Sequence, residues 1–470
     1  MAGLVRSMVE LLDSMKAPMI LCFTACLGGL TLLTPAVTFA ESASSSRSSQ
    51  EVRNLDDLIG GEALWDMTPE TFEAKFKDRR FQWLSQAKDQ ARFFGNYGLW
   101  DGQVRVAEAI VEFQNGKFNR VNLTLFDRGD SSAADYKSRK DFEKAVDDLK
   151  GAVTSHLGVQ PRERGRDATS AVKAQGWLWA KPPAMYLLEW SFQKENIAMK
   201  QDFRAEFIRL RVAQVPKQQG LLAGNESTAG NQPVLKASLA GNVTHEENGD
   251  VYIKNVPMVD QGPKGYCAVA TAERVFRYYG IAVDQHEMAQ VANTHEGGGT
   301  SPTAMFTALT ALEGRLHVKV RAITKWDYGE FSRMIDAYNR EAKHDKKTEV
   351  KLTGRAVVDI GEIYGEFDPE ALKQALTAKN KANYNKFQRT VSTYVDHGVP
   401  LMWGVELGLY KEAEIPQNLG GHMRLIIGYN NKTNEILYSD SWGEAHALKH
   451  MPFDNAFSMT TGLYYMEPLK

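Results

Sequence analysis

The pattern of apolar and polar positions divides this chain into five stretches of different character. The first, residues 1–40, is dominated by an apolar run at 17–33 that follows Arg6 and Lys16 and ends in Pro35-Ala36-Val37-Thr38-Phe39-Ala40. A basic start, an apolar middle and small closing residues mark a signal peptide cleaved before Glu41. The competing reading is a retained anchor helix, because the run lies at the short limit for crossing a bilayer. Residues 41–55, rich in serine, read as a flexible linker.

From 56 to 215 the periodicity switches between helix and strand. Thr68 before Pro69 predicts a helix over 69–76, with a cap and a first-turn proline. Strands are predicted at 81–85, 91–94, 103–114 and 120–126, the last two joined through the hairpin signal Asn115-Gly116. A second helix at 138–157 precedes strands at 176–180, 184–193 and 205–212. Helix followed by antiparallel strands occurs twice, which suggests two similar halves sharing one sheet. Residues 216–250 are rich in Gly, Asn, Gln and Ser, lack an apolar period, and read as an interdomain linker.

The last stretch, 251–470, opens with a helix at 267–279 whose stripe is Val269, Ala272, Phe276 and Tyr279 and whose closing glycine is Gly280. Asp284 and Glu287 form a capping-box pair for the next helix. Gly297-Gly298-Gly299 leads to a helix at 302–312, capped by Ser301 and closed by Gly314. Helices at 326–343 and 369–395 follow, then strands at 400–405, 423–429 and 436–439. The fold class expected is α+β: helices then antiparallel strands in the carboxy-terminal domain, preceded by an α+β domain of repeated helix-plus-strands halves.

Composition adds little except at cysteine. A chain of 470 residues implies two or three domains. With 56 basic and 58 acidic side chains the net charge is −2, which gives no overall attraction to nucleic acid or to an anionic membrane. No nucleic-acid partner is expected, and no membrane partner after leader cleavage. Cys22 and Cys26 fall in the leader, so the mature chain keeps Cys267 alone and forms no internal disulfide. A thiol retained in an oxidising compartment points to chemical use.

Cys267 stands at a helix start, where the helix dipole favours the thiolate. Downstream, Gly420-Gly421-His422-Met423-Arg424 supplies a histidine and Tyr438-Ser439-Asp440-Ser441-Trp442-Gly443 a carboxylate, both in strand-like runs. His422 would serve as base and Asp440 would accept its other ring N–H, fixing the tautomer. Gln261, ahead of the cysteine, would offer its amide beside the Cys267 backbone N–H to an oxyanion. Lone histidines are usually structural or at the surface, which is the reading for His286, His295, His317, His344 and His397. His446 and His450 are four apart but lack the further ligands a metal needs, so no metal and no cofactor is expected.

The order Gln261, Cys267, His422, Asp440 and the flanking Ser441-Trp442-Gly443 resemble the papain-like cysteine peptidases over roughly residues 251–443. The resemblance implies a helices-then-barrel fold, with these residues as oxyanion donor, nucleophile, base and orienting group, and Trp442 shielding the base. Three departures stand out: Tyr266-Cys267-Ala268-Val269-Ala270 replaces the usual Cys-Gly-Ser-Cys-Trp run, Asp440 replaces asparagine, and the disulfides are missing. In these the chain is more similar to the double-glycine (bacteriocin-leader) peptidase-like domains, which use Cys, His and Asp.

The expected function is an exported thiol-dependent hydrolase of peptide or related amide bonds, secreted or periplasmic, with a peptide or protein as substrate. Thiol acyl transfer of the transglutaminase kind is a second reading, disfavoured by the long gap from Cys267 to His422 and by the upstream glutamine. A binding module for protein or cell wall is a third, disfavoured by the presence of all four side chains. The domain at 56–215 reads equally as a pro-region or as a permanent recognition module.

Overall fold

The computed structural model describes residues 52–469 except 85–86, 94, 130–135, 137, 165–171, 173, 196–201, 216–233, 263–264, 282, 284, 293–299, 301, 353–358 and 416–418. The leader with Cys22 and Cys26, nearly all of the serine-rich stretch, His295, the glycines at 297–299, and the caps Asp284 and Ser301 lie outside the described residues. Among the described residues no helix is long and apolar enough to cross a membrane.

The amino-terminal half is built on one eight-stranded sheet. Its order is Phe81–Trp83, Gln90–Phe93, Glu108–Gln114, Lys117–Asp127, Arg204–Gln214, Ala184–Gln193, Gln175–Lys181 and Arg162–Glu163. Each half of this sheet follows a helix, Pro69–Phe76 or Arg139–Leu157, and then runs through four strands in meander order. The fourth strands, Lys117–Asp127 and Arg204–Gln214, pair antiparallel at the centre. Local chemistry explains the joints. Thr68 accepts the Thr71 N–H and Thr71 accepts the Thr68 N–H, so threonine closes the capping box. Asn115 and Gly116 both take positive φ, 53° and 71°, as the tightest hairpin turn demands.

The two faces of this sheet differ. One packs the helices through Phe72, Phe76, Phe142 and Val153 onto Leu123, Leu188 and Leu210 in a core of its own. The other carries Arg92, Glu108, Glu112, Glu189 and Arg209, all nearly inaccessible to solvent, and lies against the carboxy-terminal half.

In the carboxy-terminal half most helices precede the central strands of an antiparallel sheet, but Val243–His245 and Asp250–Ile253 come before the first α-helix and Val318–Thr324 lies between helices. The sheet runs Val243–His245, Asp250–Ile253, Gly420–Asn430, Leu401–Leu407, Thr460–Pro468 and Val318–Thr324, with Glu435–Ser439 and Lys449–Pro452 continuing from Gly420–Asn430. The helix Cys267–Tyr278 crosses this sheet, and the Thr271 hydroxyl donates to the Met423 carbonyl at 3.2 Å. Gly280, at φ 71°, stands just past its end as expected.

Several boundaries differ from the periodicity. The run 103–114 is two strands in different sheets, because Val104–Val106 pairs with Tyr97–Leu99 while Glu108–Gln114 joins the large sheet. The run 369–395 is two helices, Pro369–Thr377 and Lys381–Asp396, with Asn380 as the second N-cap. Gly314 lies inside its helix, which continues to Leu316 and ends where His317 takes φ 51°. Within 216–250, the described residues from 234 onward include the 3₁₀ segment Lys236–Asn242 and the edge strand Val243–His245. A strand of three residues is too short to show an alternating period. The strands Val318–Thr324 and Thr460–Pro468, which pair with each other, were not foreseen.

Candidate active site

The helix Cys267–Tyr278 begins at the thiol itself. Its N-cap, Tyr266, offers no side-chain cap, so the first backbone N–H groups point out beside Cys267. The strand Gly420–Asn430 brings His422 to the same place, and the end of Glu435–Ser439 delivers Asp440. His422 Nε2 lies 2.7 Å from Asp440 Oδ1. The thiol of Cys267 is hydrogen-bonded to the imidazole, which leaves Nδ1 as the nitrogen on the sulfur side. Cys267 remains partly exposed, whereas His422 and Asp440 are buried. The thiol thus keeps access to solvent while the imidazole and the carboxylate are shielded from it.

The electrostatics follow from this line of groups. Burial pushes the Cys267 thiol up, but the hydrogen bond and positive charge of His422, with the Met423 backbone N–H, bring it below its ordinary value. Burial likewise opposes the imidazolium, yet the Asp440 carboxylate and the contact with the thiol raise His422 to about 9. Asp440 falls to about 2 despite its burial, because His422, Arg424 and the Ser441 N–H all favour its charged form. These shifts all run toward the charged forms: thiolate, imidazolium and carboxylate.

Two buried arginines hold the carboxylate segment. Arg424 Nε donates to Asp440 Oδ2 at 2.7 Å, and its Nη1 donates to both oxygens of Glu412 at 3.1 and 2.9 Å. Arg274, two helical turns beyond Cys267, donates to the Asp440 carbonyl at 2.8 Å, to Ser439 Oγ at 2.5 Å and to the Pro257 carbonyl at 2.8 Å. Burial lowers Arg274 to about 10, which still leaves it charged at neutral pH. These residues had no role in the sequence reading. The period of two did contain a signal for Arg424, since positions 422 and 424 of a strand share one face.

Gln261 is buried and tied to the same segment: its N–H donates to the Ser441 carbonyl at 2.9 Å, and its Oε1 accepts from Ser441 Oγ at 2.8 Å. The oxygen being held by Ser441, the amino group of the amide turns the other way. Trp442 stacks on the His422 ring at 4.5 Å between centroids and 19° between planes, covering the base. The sequence-derived set Gln261, Cys267, His422 and Asp440 is therefore brought to one locality. His446 and His450 fall on different elements, with His446 edge-on to Trp442 and His450 between Asp250 and Glu435. His286 lies in the contact between the two halves, 3.7 Å from Glu108.

Comparison with known proteins agrees with this class. Residues 299–465 match the family described as "Peptidase_C39 like family", about a third of the chain, a span that holds His422 and Asp440 but begins after Gln261 and Cys267. No curated protein matches the chain. Among solved structures, the chain is similar to xylellain, a cysteine protease from Xylella fastidiosa, at 13% identity, covering 51% of this chain and 91% of that one with a TM-score of 0.25. A score that low carries no structural weight. What the family match shows is that residues 299–465 are similar to C39-like peptidases.

Proposed function

We propose that the protein is an exported thiol hydrolase that cleaves peptide or related amide bonds through Cys267, His422 and Asp440, with Gln261 as oxyanion donor. The observation that carries this reading is the buried line from the partly exposed thiol through His422 to Asp440 at 2.7 Å. In the reaction the Cys267 thiolate attacks the carbonyl carbon, and the oxyanion is met by the Gln261 amide and the Cys267 backbone N–H. The His422 imidazolium then gives its proton to the leaving nitrogen as the C–N bond breaks, forming a thioester. Water, deprotonated by His422, attacks that thioester, releasing the acid and returning the thiol. Trp442 keeps the imidazolium from bulk water and Asp440 holds its tautomer. Peptides or proteins are the substrate class, in a secreted or periplasmic setting reached through the leader at 1–40.

Alkylation of Cys267 by iodoacetamide across pH tests the reading. The wild-type rate should rise at a pH below that of an ordinary thiol, about 8.5, and His422→Ala should move that rise up to the ordinary range. Hydrolysis should decline as pH climbs through about 9, where His422 loses its proton. A wild-type thiol that labels slowly and titrates normally would refute the proposal. The export part is checked by sequencing the mature amino terminus, which should begin near Glu41.

A further inference from the structure

The turn that leads to Cys267 is gripped from outside its own half of the molecule. Asp260 Oδ1 accepts the Gly262 N–H at 2.7 Å and lies 3.2 Å from Arg92 Nη1, while Oδ2 accepts Gln82 Nε2 at 2.8 Å. Gln82 and Arg92 face each other on paired strands of the amino-terminal sheet, so both reach from its charged face. Arg92 is buried and anchored by Glu108 at 2.5 Å. Its guanidinium lies directly on Gly262, where φ is +66° and an added Cβ would come within 2.3 Å of Nη2. At the other end of the turn the Tyr266 hydroxyl reaches Asp127 at 3.3 Å, and its ring occupies the space a side chain on Gly129 would need. Gln261 lies between these two grips.

We propose that Arg92 and Gln82 are positioning residues for the reaction: through Asp260 they fix the turn that carries the Gln261 amide, making the amino-terminal domain a working part of the site. This rests on the thiol-hydrolase reading above. An oxyanion donor acts only from a narrow range of positions, and a shift of about 1 Å costs on the order of a hundredfold. A turn with a left-handed glycine does not hold itself to that tolerance. The peptidase half supplies one tether, Ser441, and the amino-terminal sheet supplies the other. Arginine suits the task because its planar fork spans Glu108 and Asp260 at once.

The test uses the full chain and two reagents that differ only in their need for an oxyanion donor. p-Nitrophenyl acetate acylates the thiolate through a tetrahedral intermediate, forming a thioester as p-nitrophenolate leaves. Iodoacetamide alkylates it by direct displacement of iodide, with no oxyanion. Gln82→Ala should lower the acylation rate about 3- to 10-fold and Arg92→Ala about 10- to 100-fold, each corrected for chain pre-blocked with iodoacetamide. Alkylation rates and their pH profiles should stay at wild-type values, and Arg92→Lys should recover part of the loss. Because Arg92→Ala leaves Glu108 buried without its cation, folding is checked by thermal unfolding; Gln82→Ala, on an exposed side chain, carries the test should that variant not fold. Wild-type acylation in Gln82→Ala and Arg92→Lys would overturn the proposal, as would a gain in acylation on proteolytic release of residues 52–215, which would mark the domain as a cover. A wild-type chain unreactive to both reagents would overturn the thiol reading itself, and so differs from a failure confined to the variants.

Discussion

Two central strands of the molecule, Arg204–Gln214 in the amino-terminal sheet and Gly420–Asn430 in the carboxy-terminal sheet, are both largely shielded from water, yet they place charge differently. Along Arg204–Gln214, Ile208, Leu210 and Val212 face a core of aromatic and aliphatic side chains, while Arg209 and Arg211 face the other way. Arg209 meets Glu189 at 2.9 Å and Glu287, on a helix of the other half, at 2.8 Å. Along Gly420–Asn430 the buried positions are apolar except for His422, Arg424 and the closing Asn430. Along these two strands, charge is thus spread over a docking face in the first and gathered at His422 and Arg424, beside Asp440, in the second. A buried ion pair adds little net stability, because desolvation offsets its attraction, but breaking one is costly. A docking face of such pairs is therefore selective for one arrangement of the two halves rather than strongly adhesive.

The sharpest way to break the comparison is at the confined charges. Cys267→Ser removes the thiolate–imidazolium pair and should lower hydrolysis by at least about 10⁴-fold, with the melting temperature little changed; activity surviving in this variant would make His422 and Asp440 merely structural. Next in size is Arg424→Ala, which strands the Asp440 and Glu412 carboxylates in a buried site and should cost about 3–5 kcal/mol in urea unfolding. Asp440 adds a pH signature. Its carboxyl is held at about 2, against an ordinary value near 4, so the stability it contributes is present above the ordinary value and lost as pH falls through about 2. Without Arg424 that loss should begin at higher pH in an acid titration, and an unchanged acid limb would mean that Arg424 does not support Asp440. The smallest effect belongs to the docking face. Ser191→Ala deletes one hydrogen bond to Gln290, 2.7 Å long, and should cost about 1 kcal/mol while leaving the alkylation rate of Cys267 as it was. A change in that rate would show that the two sheets are coupled more widely than through Asp260 and Tyr266.

Much of the site was legible beforehand because its members announce themselves locally. Cys267 opens a helix whose apolar stripe and closing Gly280 are both in the sequence, and His422 stands in, and Asp440 just beyond, an apolar run that forms a strand where expected. Gly314 misled because a glycine does not by itself end a helix when packing on both sides favours its continuation, and the turn at His317 ended it instead. The break at Asn380 was hidden because neither glycine nor proline stands at it.

The sequence by itself determined the kinds of most elements, the hairpin at Asn115-Gly116 and the four residue types of the candidate site, since each depends on neighbours a few positions away. Tertiary structure alone decided that Arg424 and Arg274 secure Asp440, that the alternating charges of the amino-terminal sheet face the carboxy-terminal half rather than water, and that Gln82 reaches Asp260 across 178 positions of chain. Alternation along a strand says that two faces differ, but a charged face reads the same in sequence whether water or a buried counter-charge completes it; only the packing of distant segments makes that choice.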